Sequence, residues 1–317
     1  YNLSNAEAIT LSGQVSIRWI ENKMNEYLNK VLKTEEVDYV IASDTDSIYL
    51  NLGPLVETVY KGREKTNESV VGFLNKVCEV ELEPYIESSY QELADYVNAY
   101  DQKMIMKREN IADRGIWTAK KRYILNVWDS EGVRYEKAKL KIMGIEAIKT
   151  STPAPCRKYL KDAFSLLMTG TEDEVISYIE ECREKFKSLP PEEVAFPRSV
   201  SQIDKWKSSS DMYNKGCPIH VRGAILYNHW TRKKKLNNKY ASIQSGEKIK
   251  FCYLKTPNWM HENVISFIQD FPTELELNKH VDYELQFNKS FMEPIKVILD
   301  CIGWQTERTN TLDSFFA

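Results

Sequence analysis

Apolar residues at Ile20, Met24, Tyr27, Leu28 and Val31 recur at helical spacing, which predicts one long amphipathic helix over 4–32. Ser4 with Glu7 three residues later gives it a capping-box start. The period then shortens: 39–43 and 47–50 are short β-rich runs flanking Asp44-Thr45-Asp46, a strand, tight turn and strand. A second amphipathic stretch runs from about residue 68 to 100, with Val71, Leu74, Val77 and Cys78 in register and Pro84 as a kink or interruption. From 104 to 148 the pattern is strand-like, with turn signals at Asp113-Arg-Gly115 and Asp129-Ser-Glu-Gly132. Past Ser151-Thr-Pro153 it becomes mostly helical, over 155–168, 172–186, 218–233, 259–271 and 283–302, with one strand-like segment at 248–254. The expected class is α+β: a small antiparallel sheet packed on helices, then a mostly helical part, with a boundary near residue 150.

The hairpin tip concentrates charge. Two carboxylates about 5 Å apart at an effective dielectric near 20 repel by roughly 3 kcal/mol. Solvent, a shared proton, a basic side chain or a divalent cation must offset that. Mg²⁺ takes one or two protein carboxylates together with substrate phosphates, so a two-metal phosphoryl-transfer site is one reading. An isolated Asp-x-Asp fits a solvated acidic turn as well.

Composition excludes more than it assigns. The 317 residues suffice for two domains with cores of their own. No apolar run is long enough for a membrane span, and the start carries no signal-peptide pattern. The six cysteines are scattered with no Cys-x-x-Cys pair, so zinc-ribbon and iron–sulfur sites have no support and reduced thiols are expected. Net charge is −3, which taken whole argues against a nucleic-acid partner. Its distribution argues the other way: 103–141 carries eleven Lys or Arg against five Asp or Glu, and 232–239 five basic residues and no acid.

Three ordered blocks carry a resemblance. Asp-Thr-Asp-Ser followed by Ile48 and Tyr49 resembles the palm-domain hairpin of family B DNA polymerases. Trp117-Thr-Ala-Lys-Lys-Arg-Tyr-Ile-Leu-Asn-Val-Trp128 resembles their Lys-x-Tyr segment against the primer–template duplex. Lys139-Leu-Lys-Ile-Met-Gly-Ile-Glu146, then Lys149-Thr-Ser-Thr-Pro153, resembles their palm-to-thumb junction. Order and spacing are similar to those of the T-even-type bacteriophage enzymes. The resemblance implies that residues 1–150 are the C-terminal portion of a palm, 151–304 a thumb and 305–317 a flexible tail.

It also implies roles. Asp46 and Asp44 match the metal-binding acids and Thr45 the nucleotide-side residue between them. Two Mg²⁺ ions would be shared with a carboxylate absent from this chain, for attack of a primer 3′-oxygen on a dNTP. Glu109 matches a palm carboxylate near that site, although Lys107 stands where the phage enzymes tend to have an acid. Lys120, Lys121, Arg122 and Tyr123, read as strand residues with Lys121 and Tyr123 on one face, are expected at DNA, as are Lys149 and Arg222. The spacing alone fits a solubilising edge strand equally. His220 reads as structural.

The tail, Thr311-Leu-Asp-Ser-Phe-Phe-Ala317, places Leu312, Phe315 and Phe316 at the hydrophobic-x-x-aromatic-aromatic spacing of sliding-clamp-binding peptides, after a polar run over 305–310. The other palm Asp, the fingers helix and the exonuclease segments are not in the sequence. The expected molecule is therefore a split-gene subunit or a piece of a longer polymerase, phage-encoded and acting in the host cytoplasm. It would need an N-terminal polymerase segment or subunit, primer–template DNA, dNTP and a sliding clamp. A non-catalytic module that docks primer–template and clamp is the alternative.

Overall fold

The computed structural model describes residues 2–208 and 211–308. In chain order the elements are α1 (Leu3–Leu32), β1 (Val40–Asp44), β2 (Ser47–Leu50), α2 (Gly53–Val59), α3 (Asn67–Val77), α4 (Glu83–Tyr96), β3 (Asn110–Ala119), β4 (Arg122–Ser130) and β5 (Val133–Met143). There follow α5 (Ala154–Thr169), α6 (Glu172–Lys187), α7 (Pro191–Val194), β6 (Phe196–Ser199), α8 (Ile219–Lys233), β7 (Lys248–Tyr253), β8 (Val264–Phe267), α9 (Tyr283–Phe287) and α10 (Glu293–Ile302). Helices with small antiparallel sheets bear out the α+β class. The chain divides into two compact units, one of residues up to Gly115 with Leu125–Lys139, the other of Ile116–Ile124 with residues from Leu140 onward.

In the first unit, Ile20, Met24 and Leu28 of α1 pack with Tyr39 and Val40 of the hairpin and with Cys78, Leu82, Ile86, Tyr90 and Leu93. Val31, expected on the same stripe, is 45% exposed. The predicted capping box gives way to Asn2, whose side chain accepts from the backbone of Ser4 and Asn5. The Pro84 interruption takes a specific form. A proline offers no N–H to the carbonyl four residues back. The chain widens just before it into a π turn, Cys78–Leu82, closed by the Glu83 N–H on the Cys78 carbonyl. The same device recurs ahead of Pro294, where Asn288–Met292 separates α9 from α10 within the predicted 283–302 helix.

The second unit encloses the larger core, where α5 to α10 surround the antiparallel β6-β7-β8 sheet. The helix expected over 259–271 is instead β8 with turns on either side. All four of its residues are buried, and a fully buried strand has the same uninterrupted apolar pattern as a helix segment. Helix α8 lies directly on β8. A Cβ on Gly223 would stand 2.4 Å from Ser266 Oγ and 2.9 Å from its backbone nitrogen, while that hydroxyl donates to the His220 carbonyl at 2.8 Å. His220, expected to be structural, is half-buried: burial, then the charge of Arg198, holds its imidazole below the usual value, and its ring lies against Phe251.

Gly223→Ala therefore forces α8 away from β8. Urea unfolding should show a loss of about 1–3 kcal/mol, the cost of overpacking a core contact, with the fold retained.

Candidate active site

The hairpin is built from α1 outward. Asn25 Oδ1 accepts the backbone N–H groups of Tyr39 at 2.8 Å and Val40 at 3.1 Å, and Asn29 Nδ2 donates to the Val37 carbonyl at 2.8 Å. Tyr39 is 2% exposed, with its hydroxyl 2.9 Å from that of Thr34. The base of β1 is thus fixed in the core. Antiparallel pairing then runs Val40 to Leu50, Ala42 to Tyr49, Ser43 to Ile48 and Asp44 to Ser47, with an irregularity between Val40 and Ala42. That register leaves Thr45 and Asp46 as a two-residue loop.

At the tip the Asp46 N–H donates to the Asp44 carbonyl at 2.6 Å, and Ser47 Oγ donates to the same carbonyl at 3.2 Å. Thr45 adopts φ +55°, unusual for a β-branched residue, and its hydroxyl donates to Asp44 Oδ1 at 3.1 Å. Asp44 is half-buried; Thr45 and Asp46 are exposed. The strand–turn–strand reading holds, and it brings Asp44, Thr45 and Asp46 together on one projecting loop.

Glu109 is not gathered with them. Among the described residues no three or more Asp, Glu, His or Cys form a group able to hold a metal ion. Glu109 is exposed just ahead of β3, accepts from Asn110 Nδ2 at 3.1 Å, and receives the Glu131 N–H on its carbonyl at 2.6 Å. Its neighbour Arg108 was missed by the sequence reasoning. The Arg108 guanidinium pairs with Asp129, whose side chain is 1% exposed, and reaches Asn75 on α3. Arg134 Nε at 3.5 Å and the Gly132 N–H at 3.0 Å also serve Asp129, and the Arg108 N–H donates to Glu83 at 3.0 Å. One buried ion pair so binds α3, α4 and the Asp129–Gly132 turn. Removing one partner of such a pair typically costs about 3–5 kcal/mol. In sequence Arg108 stands beside Glu109, but its ion-pair partner is Asp129, 21 positions away.

The basic segment differs from its strand reading. Asp113-Arg-Gly115 lies inside β3, and the reversal comes instead at Lys120–Lys121, with Lys121 at φ +61°. Lys121 and Tyr123 are therefore not alternate residues of one strand. Both lysines are exposed; Tyr123 is 6% exposed, its ring 6.1 Å from that of Trp117. The third motif packs against this turn. A Cβ on Gly144 would lie 2.1 Å from the Lys121 carbonyl, and Gly144 itself takes φ +66°. Only glycine admits that approach. Two residues on, Glu146 accepts from Arg122 Nη2 at 2.8 Å and from Lys149 Nζ at 2.8 Å. Burial pushes the Glu146 carboxyl up, but the Lys149 hydrogen bond, a bond to its own backbone and the Arg122 charge together hold it below the usual value.

Arg222 on α8 is occupied within its own unit: it bonds Asn263, lies 3.9 Å from Glu262 and covers the Tyr213 ring at 5.5 Å. In the 232–235 run, Lys233 and Lys234 cover the Trp230 and Trp259 rings at 4.6 and 5.0 Å. Gln305 and Arg308, expected in a polar tether, bond Glu172 and Ser177 of α6 at 2.6 and 2.9 Å. Leu312, Phe315 and Phe316 lie outside the described residues. No described helix is long and apolar enough to cross a membrane.

No family model matches the chain. Two curated relatives do. The chain is 33% identical over 328 residues to a DNA-directed DNA polymerase of Enterobacteria phage T4, and 33% identical over 332 residues to one of Escherichia phage RB69. Both alignments cover all of this chain and 36% of the relative. The chain is thus homologous to phage DNA-directed DNA polymerases, as its motifs suggested, and spans little more than a third of their length.

The depressed Glu146 carboxyl gives a pH signature. Its contribution is complete above the ordinary carboxyl value of 4.5 and lost as pH falls below that, through the lower folded-state value. Urea unfolding between pH 6 and 3 should show Glu146→Gln less stable than the parent at pH 6, with the gap closing toward pH 3.

Proposed function

We propose that this chain is the C-terminal part of a phage replicative DNA-directed DNA polymerase of family B, comprising the rest of the palm (1–150), the thumb (151–304) and a clamp-binding tail (305–317). The observation that carries the reading is the 33% identity along the whole chain to two phage DNA-directed DNA polymerases, with Asp44-Thr45-Asp46 at a hairpin tip.

Asp46, exposed, and Asp44, half-buried, would hold Mg²⁺ with substrate phosphates. Mg²⁺ takes one or two protein carboxylates while substrate oxygens and water complete the shell, and the reading assigns a further carboxylate to polypeptide outside this chain. Bound Mg²⁺ supplies charge neutralisation at the triphosphate and activation of the primer hydroxyl. The chain's own contribution is placement. Asn25 and the Asp44–Ser47 register hold the acids outward, and Thr45 orients the Asp44 carboxylate next to the nucleotide. Lys120 and Lys121 meet backbone phosphates, which suits an enzyme that must accept any sequence. Arg122 and Lys149, tied to Glu146, fix the turn that presents those lysines. The buried Tyr123 ring supports the turn from beneath, and Glu109 is held at the palm surface by the Arg108 pairing. Arg222 acts by shaping the thumb surface, since its guanidinium is already paired. Leu312, Phe315 and Phe316 would dock on a sliding clamp and raise processivity through effective concentration.

The test is primer extension by the polymerase assembled from this chain and the polypeptide that completes its relatives' length. Asp46→Ala should abolish extension by 10³-fold or more while primer–template affinity stays within about threefold, the pattern of an interaction used in the transition state. Full extension by Asp46→Ala contradicts the assignment.

A further inference from the structure

Helix α1 is longer than its support. Its C-terminal half packs against α4: Trp19 Nε1 donates to the Ser89 carbonyl at 2.8 Å, Lys23 pairs with Glu92 at 2.8 Å, and the Tyr27 and Tyr85 rings stand 4.4 Å apart. Helix α4 ends at Tyr96, whose ring stacks on Trp19 at 6.4 Å. The turns before Ser16 are open to solvent, and a Cβ on Gly13 would meet nothing within 4 Å. Residues 2–12 are all exposed, Leu3 by 81%, Ile9 by 74% and Leu11 by 52%, and Val15 follows at 52%. This overhang of fourteen residues, 3–16, extends roughly 20 Å at 1.5 Å per residue.

Its composition does not suit water. Between Leu3 and Ile17 the single charged side chain is Glu7, and the rest are Ala, Gly, Ser, Thr, Asn, Gln and large aliphatics. The apolar positions do not form one stripe either. At 100° per residue Ile9 continues the Ile20–Met24 side, whereas Leu11 and Val15 fall on a different side, toward Trp19. A helix apolar on several sides is one that is surrounded. A helical segment of this length is also marginal in water without tertiary contacts. Beside its base, Tyr96 and Val97 add exposed apolar surface of 78% and 54%.

We propose that the α1 overhang, with Tyr96 and Val97, is the docking surface for the polymerase polypeptide that supplies the length this chain lacks. The inference rests on the polymerase reading and gives it a named contact. The occupant follows from the proportions: the chain spans 36% of its relatives, so 100 − 36 = 64% of their length lies outside it. A body of that size can enclose a helix on several sides. A second copy of this chain, pairing through one face, would leave either Ile9 or the Leu11–Val15 side in water.

Hydrogen exchange of 3–16, measured in this chain alone and in the assembled polymerase, tests the surface. The chain alone should exchange there almost without protection, and assembly should slow exchange by about a hundredfold or more. Leu11→Glu with Val15→Glu should remove that protection while leaving the chain's own thermal unfolding unchanged, because both side chains are solvent-exposed. An assembly that extends primers with 3–16 still unprotected overturns the docking surface and leaves the polymerase reading standing. Protection without primer extension supports the surface and contradicts the polymerase reading. Protection in this chain alone that grows with its concentration assigns the surface to self-association and overturns the proposal, as does failure of the two polypeptides to associate.

Discussion

Like charges two residues apart at a hairpin tip separate unless the backbone prevents it, and here the backbone is fixed from below. Asn25 of α1 takes both N–H groups at the start of β1, Tyr39 is locked in the core, and past the irregularity after Val40 the pairing is continuous from Ala42–Tyr49 to Asp44–Ser47. A one-residue slip would reverse which side chains face the core, so the buried residues at the base determine where the acids stand at the tip. Thr45, strained in the left-handed region, completes an arrangement that a freely solvated turn would relax. The hairpin thereby brings the two acids together at its tip, Asp44 half-buried and Asp46 exposed.

The second unit handles positive charge in the opposite way. Arg122 and Lys149 share the Glu146 carboxylate, and Arg222 bonds Asn263 and lies 3.9 Å from Glu262, so each of these cations has an intramolecular partner. Lys120 and Lys121 stand exposed at a turn that Gly144 allows to close. An overall negative chain can present a local basic surface in this manner while other Arg and Lys pair internally with Asp and Glu. Charge counting along the sequence finds the basic segments but not which of their side chains are paired.

Much of this was legible from periodicity. Long segments with a clear 3.6-residue stripe, α1, α5, α6 and α8, fell close to their expected limits, and so did the hairpin, because alternation and the tight Asp-Thr-Asp turn agree. Two kinds of feature were hidden. Local ambiguity concealed β8, whose unbroken apolar run carries no period, and displaced a turn from Lys120–Lys121 to Asp113–Gly115, since a Lys-Lys turn lacks the usual Gly, Asn or Asp signal. Distance concealed the rest. Arg108 and Asp129, or Gly144 and Lys121, meet only in three dimensions, and neither residue type announces its partner. The candidate acids were readable because the chemistry sits in three consecutive residues; their mechanical support was not, because it comes from Asn25, a polar residue on a helix.

The central claim is that Asp44 and Asp46 hold a divalent cation together with the nucleotide. Mn²⁺ binding followed by electron paramagnetic resonance, with the assembled polymerase and dNTP present, measures it directly. The account predicts protein-bound Mn²⁺ that requires dNTP and falls at least about tenfold in affinity in Asp46→Asn, in line with the loss of about 1.4 kcal/mol or more of binding free energy. Unchanged, nucleotide-dependent Mn²⁺ binding in a folded Asp44→Asn/Asp46→Asn double variant would contradict it.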